Sequence, residues 1–377
     1  MNPRRWLLCL LLSTGQLTIA GESSAVQRSS GKYLVTLRLP PDGVYAQEET
    51  EIEFRIVDTS RDDPLTGSVP VIRAQIDVGI EMPSMPGMPA FHELAHPEGV
   101  PGDFGVHPTF AHGGDYVLRL SVTPPEDRAF QVEFPISVQD VSNARNRKHT
   151  PPRFSVELAT SPKTPKPGEE VELRLIVRDR EKPKDVFNQF ERAHEEFMHL
   201  VIVRDDLREF AHEHPALGPN GAFLLRYQFK TAGEYHLFAD VAPRNAGSQV
   251  LMAKLKVGGK TSAPAAFAPL SAIQEVDGLR IELKTPAVSA KRTTEIAFTV
   301  EPATGLQPYL GARAHLIGIH QDAVTFVHAH PDESKPADGG FVFLGRFPQA
   351  GQYRIWIQFK RNDRLVTGEF TLEAKDN

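Results

Sequence analysis

The chain is expected to be all-β, with three tandem β-sandwich domains behind an export leader, and three observations carry that expectation. Apolar and polar residues alternate with period two in short segments separated by turn-forming residues, which is the pattern of half-buried strands. These segments recur at matching places in three successive stretches: first strands at 33–39, 154–158 and 279–283, second strands at 51–57, 170–177 and 295–300. Each stretch then nears its end with Gly-x-Tyr before another alternating strand, at Gly114-Asp115-Tyr116, Gly233-Glu234-Tyr235 and Gly351-Gln352-Tyr353. A late tyrosine at such a place is the tyrosine corner of immunoglobulin-like sandwiches. The 31 prolines, 28 glycines and 22 phenylalanines suit many short strands joined by frequent turns.

Taken in order, residues 1–20 place Arg4 and Arg5 before an apolar run and offer Ala20 as a cleavage point. That is a secretory signal peptide, too short to remain as an anchor. Cys9, the single cysteine, lies inside it, without the small-residue context of a lipoprotein site. The mature chain is therefore expected to lack disulfides, thiolate metal sites, iron-sulfur clusters and cysteine nucleophiles. Export without disulfides suits a bacterial periplasm or cell surface, or a secreted protein. No later stretch is apolar enough to cross a bilayer, so no transmembrane anchor is expected after cleavage. The formal charge of −6 becomes −8 when Arg4 and Arg5 leave, which argues against nucleic acid as a partner. A small molecule, a metal ion or another envelope protein remains as a partner.

The sandwiches are expected at 31–140, 151–258 and 272–375. Between them, 141–153 is polar, basic and ends in Pro-Pro, and 258–269 is rich in Gly, Ala and Pro, so both read as linkers. The second domain carries an insertion at 181–196 whose charge and spacing suit a short helix or lid, and the third domain lacks it. His194 lies there, five residues before His199; it could cap a site at that residue, but it is expected on the surface.

The second and third domains repeat one stretch. Residues 199–215 (HLVIVRDDLREFAHEHP) and 315–331 (HLIGIHQDAVTFVHAHP) align without a gap and share His-Leu, an Asp, a Phe and a closing His-x-His-Pro. Each reads as a β-hairpin. A two-residue turn at Asp205-Asp206 would pair Val201 with Phe210 and set His199 opposite His212, with His214 diagonal; the second copy would set His315 opposite His328, with His330 diagonal. Three imidazoles then converge twice, close enough for one metal ion each, since metal-to-nitrogen distances are near 2.0 Å. His236 is a candidate fourth ligand in the second domain. The competing reading is structural, because the same face carries Val201 and Phe210 and is expected to face the core, where a histidine can simply be hydrogen-bonded. Two protonated rings at 5 Å would repel by about 3 kcal/mol, so at least one should be neutral and able to coordinate.

The first domain differs. It carries Met82-Pro-Ser-Met85-Pro-Gly-Met88-Pro, then His92, His96, His107 and His112. Interleaved prolines favour polyproline II, which would align Met82, Met85 and Met88 as one ridge. Thioether selects Cu(I), and imidazole suits Cu(II), zinc and nickel, so a Met ridge followed by His92 and His96 favours copper over zinc. The alternative is a greasy contact patch or core edge.

The run EMPSMPGMP, followed by a loop and a strand ending GGDYVLRLSV, resembles the YtkA-like domain, a relative of FixH-like domains of bacterial envelopes. That resemblance covers roughly 32–139. It implies an immunoglobulin-like module associated with copper handling and cytochrome oxidase maturation, with Met82, Met85 and Met88 as ligands. The later domains resemble exported bacterial domains with a His-x-His-Pro signature, which implies little beyond fold and location. The chain departs from a copper chaperone in having three domains and no cysteine after the leader.

The expected function is an exported, most simply periplasmic, metal-binding protein that sequesters or delivers copper, with affinity falling as pH drops through about 6.5. The alternative is a non-catalytic envelope scaffold or adhesion module with structural histidines. No Gly-x-Ser-x-Gly or phosphate-binding glycine loop is present, so an enzyme is not expected.

Overall fold

The computed structural model describes residues 25–376 other than 62, 64–66, 88, 147–150, 261–266 and 333–338. The expected leader, Cys9 and Met88 therefore lie outside the described residues. The rest is all-β, with three sandwiches of two sheets each. Each sandwich closes over its own apolar core, built from alternate residues of its strands. In the strand Gly114–Thr123, for example, Tyr116, Leu118, Leu120 and Val122 are buried while Arg119 and Ser121 are not. All three tyrosine corners form. Tyr116, Tyr235 and Tyr353 each donate a hydroxyl hydrogen bond of 2.9 Å to the carbonyl four residues upstream, at His112, Thr231 and Gln349.

Among the described residues the one helical element is a 3-10 helix, Val141–Asn146, in the stretch expected to be pure linker. The helix or lid expected over 181–196 is absent. Instead, Phe190–Glu191 pairs with Pro243 and Ala242, and the segment ends in a tight turn at 193–196. The third domain has the same turn, with Tyr309 and Ala312 bonded to each other as Ala193 and Glu196 are.

Both hairpins form, two residues out of the expected register. Val203 pairs with Phe210 and Val201 with His212; Ile319 pairs with Phe326 and Ile317 with His328. The turn is longer than two residues because Asp206 folds it back. Its carboxylate takes Arg204 Nε at 2.7 Å and the Arg208 amide at 3.2 Å, and Leu207 adopts φ 57°. A shift of two residues keeps every side chain on its original face, whereas a shift of one would have scattered the histidines.

That face does not look into its own sandwich. Leu200 and Ile202 belong to the core of the second domain, while Val201 and Val203 join Leu207 and Phe238 against Ile317, Ile319, Ala323 and Trp356 of the third. The packing is reciprocal. Phe210 stacks on Trp356 with centroids 4.3 Å apart, and Phe326 stacks on Phe238 at 5.0 Å. The repeated hairpins thus meet face to face, each supplying residues from the matching positions, as in an isologous interface within one chain.

Candidate metal centre

The strand Met198–Arg204 delivers His199, and its partner Phe210–Glu213 delivers His212, with His214 just beyond. His199 Nδ1 lies 3.1 Å from His212 Nε2 and 3.2 Å from His214 Nε2. In the third domain His315 Nδ1 lies 3.4 Å from His328 Nε2 and 3.1 Å from His330 Nε2. Within each triad the ligand-capable atoms all fall within 4.8 Å of one another. Two donors about 2.0 Å from one tetrahedral ion would lie roughly 3.3 Å apart, so these separations already suit coordination.

The outer nitrogens decide which protons are where. His199 Nε2 sits 3.0 Å from Ala193 O, and His315 Nε2 sits 3.0 Å from Tyr309 O, both in the repeated turn. His328 Nδ1 lies 2.8 Å from Asp240 Oδ2. His212 Nδ1 lies 2.8 Å from Gln358 Oε1, whose amide nitrogen is engaged with Thr367. Carbonyl and carboxylate oxygens only accept, so all four outer nitrogens carry the hydrogen and the four inner ones present lone pairs. His199 therefore faces His212, and His315 faces His328, with no hydrogen between them while the rings are neutral.

Five of the six triad rings are held neutral. Burial pushes His199 and His214 down to about 4, helped by the nearby histidines, and pushes His212, His315 and His330 well below the ordinary value for the same reasons. These five imidazoles thus stay in the form that coordinates well below pH 6.5, a wider window than an exposed histidine would give.

The two triads adjoin. The His199 ring lies 5.8 Å from His315 and 5.6 Å from His328, and the His212 ring lies 6.0 Å from each of them. His194 joins the cluster and does not lie on the surface as expected. It occupies the left-handed position of the repeated turn, φ 45°, and stacks on His330 at 3.6 Å, with its Nε2 buried and unbonded. Burial lowers it to about 3. Seven histidines from two domains therefore share one junction.

This junction borders a cavity of about 650 Å³ lined by His194, His328 and His330 on one side and by Glu51, His96, Glu98 and His107 of the first domain on the other. The first domain is tied in place by the His194 amide on Gly99 O at 3.1 Å and by Arg55 on Glu191 at 2.7 Å.

The other expected site residues do not assemble. His236 is buried opposite Val203 and bonds through Nδ1 to Ala323 O, so it clamps the domain interface and does not reach the triad. Met82 and Met85, the two described members of the expected Met ridge, do not follow polyproline II. The Met85 amide bonds to Met82 O at 2.9 Å in a turn, Met82 packs on the first core, and Met85 is exposed. His92 is exposed and lies 3.0 Å from Asp77 in one sheet, whereas His96 stands in the other, stacked on His107 at 5.0 Å and 3.1 Å from Glu98.

Both hairpins, with their triads, fall within a sequence profile that matches residues 152–258 and again 274–376, together more than half of the chain. The profile is that of a domain of unknown function, DUF8832. The chain belongs to the DUF8832 family. Each match spans one complete triad, so the histidine junction is formed between two DUF8832 domains of one chain. The YtkA-like resemblance of the first domain has no counterpart in this match. No curated protein matches the chain in sequence. Among solved structures, the Escherichia coli adhesin FdeC is 14% identical, with 90% of this chain and 96% of that one covered at a TM-score of 0.20. A tetra-tandem repeat from the extending region of a large adhesion protein gives 12% identity, 90% and 74% coverage and a TM-score of 0.21. Salmonella alpha-2-macroglobulin gives 11% identity, 93% and 24% coverage and a TM-score of 0.22. At these scores the likenesses carry no argument about what DUF8832 domains do.

Two members of the site escaped the sequence reading. Asp240 and Gln358 stand directly across the sheet from His199 and His315. Their signal was available, as one polar residue at the same place in two otherwise apolar segments, 237–241 and 355–359.

Proposed function

We propose that this chain is an exported metal-binding protein of the bacterial envelope that holds copper at its paired histidine triads, for sequestration or delivery. One observation carries the reading. His199 faces His212, and His315 faces His328, as lone pair against lone pair at 3.1 and 3.4 Å in a buried place. An N–H from His214 or His330 can satisfy only one of the facing acceptors in its triad; the other stays unpaired in a buried place, and a cation converts that cost into coordination. An all-imidazole donor set suits Cu(II), zinc or nickel, and the affinity order of divalent ions puts copper above zinc. With Met82 and Met85 closing a turn, the preference rests on imidazole and not on thioether.

The test is native mass spectrometry of the purified protein with Cu(II), with zinc as competitor. Two copper ions per chain are expected, falling to none at the same concentration in a His199→Ala, His315→Ala double variant. A wild-type chain that takes up no copper would overturn the reading.

A second reading has its own observation. The histidines also bridge the domains, through His212 to Gln358 and His328 to Asp240. A non-catalytic scaffold or adhesion module would use them as clamps. The same double variant would then lose thermal stability while the wild type never acquires metal.

A further inference from the structure

The two triads are alike in their ligands and unlike in what stands behind them. His328 is backed by the carboxylate of Asp240, and His212 by the amide of Gln358, each at 2.8 Å and each supplied by the other domain. Because Asp240 lies opposite His199, and Gln358 opposite His315, each triad's own strand pair carries the group that orients its neighbour's central ligand. A carboxylate behind a ligating imidazole raises the ring's basicity and neutralises part of the ion's charge, and a neutral amide only orients it. Access differs in the same sense. His328 and His330 line both the 650 Å³ cavity and a second one of about 260 Å³, whereas of the second-domain triad only His199 reaches a cavity, the smaller one. His194, from the second domain, stacks on His330 of the third and has no counterpart at the other triad, where the equivalent turn position is Leu310.

We infer that the junction is one two-ion centre that fills in order. The third-domain triad, His315, His328 and His330, is the tight site and loads first from the cavity; the second-domain triad, His199, His212 and His214, loads second and more weakly. This ordering rests on the proposed metal-binding function. It gives the neighbouring domain control over each site, since the second domain sets the affinity of the third domain's ion through Asp240, and the third domain orients His212 through Gln358.

The experiment is a Cu(II) titration of the full protein against a chromophoric chelator, which resolves two binding steps. Asp240→Asn is expected to weaken the tight step about 10- to 100-fold and leave the weak step near its wild-type value. Gln358→Glu is expected to strengthen the weak step, a gain that a misfolded variant cannot mimic. His214→Ala should remove the weak step and keep the tight one, and His330→Ala should do the reverse. The ordering is overturned if Asp240→Asn leaves both steps unchanged, or if His214→Ala abolishes the tight step. A wild-type chain that binds no copper overturns the function itself, while two equal steps insensitive to Asp240 overturn only the order.

Discussion

His212 turns its outer nitrogen away from its own sandwich and bonds Gln358, the residue that lies directly across the sheet from His315 of the other triad. His328 does the same toward Asp240, across from His199. The ligand sets are therefore not two pockets that happen to be close. Each is completed by the domain that carries the other, so the domain interface and the proposed metal centre should stand or fall together.

Trp356 tests that dependence from the apolar side. It is 2% exposed and stacked on Phe210. Trp356→Ala is expected to cost about 3–5 kcal/mol in urea or guanidinium unfolding, the range for emptying a large aromatic site. Copper uptake should fall in parallel, because the same face holds the triads. Loss of stability with unchanged copper stoichiometry would show that centre and interface are separable.

The three tyrosine corners offer an internal comparison. Each hydroxyl makes the same 2.9 Å bond to a carbonyl four residues back. Tyr116→Phe is expected to cost about 1 kcal/mol, as is Tyr353→Phe. Tyr235→Phe should cost more, since its one hydroxyl hydrogen is shared between Thr231 O and the charged acceptor Glu209 Oε2, the latter at 2.7 Å. Thermal melts of the three variants would rank them.

Glu53 sets a pH dependence away from the histidines. Burial, followed by repulsion from Glu51, raises its carboxyl from an ordinary value of 4.5 to about 7, against the pull of Arg38 at 3.0 Å. Below 4.5 the group is protonated in both folded and unfolded chains and contributes nothing. Between 4.5 and about 7 the folded chain keeps a proton that the unfolded chain has lost, so stability falls as pH rises. Above that window the full cost is present. Glu53→Gln should therefore raise the melting temperature at about pH 8 and leave it nearly unchanged near pH 4. An equal change at both values would contradict the burial argument.

Metal loading should stabilise the fold. At free copper about a hundredfold above the dissociation constant, a site present only in the folded chain adds about 2.7 kcal/mol, and a chelator should reverse it. The matching shift in melting temperature should vanish in the His199→Ala, His315→Ala variant.

Much of this was legible in the residues. The gapless repeat and the alternating segments led to the sandwiches, the hairpins and the membership of both triads, and the triads survived a register error because the error was even. The direction of the histidine face was missed. Yet 200–203 is an unbroken apolar run, Leu-Val-Ile-Val, and a strand that is apolar on both sides is buried on both sides. Leu200 and Ile202 fill one core, and Val201 and Val203 required another. The methionine spacing misled because Pro and Gly also make turns, and the Met85 amide closed one. His194 could not be placed from local pattern, since its burial depends on a third-domain ring 136 residues further on.

The central claim is that inner nitrogens gathered by β-pairing hold metal. Its most direct test is an anomalous difference map from copper-loaded crystals recorded at the copper edge. Two peaks are expected, each about 2.0 Å from three nitrogens: Nδ1 of His199 with Nε2 of His212 and His214, and Nδ1 of His315 with Nε2 of His328 and His330. Copper found elsewhere, or no peak at either triad in crystals grown with excess copper, would contradict it.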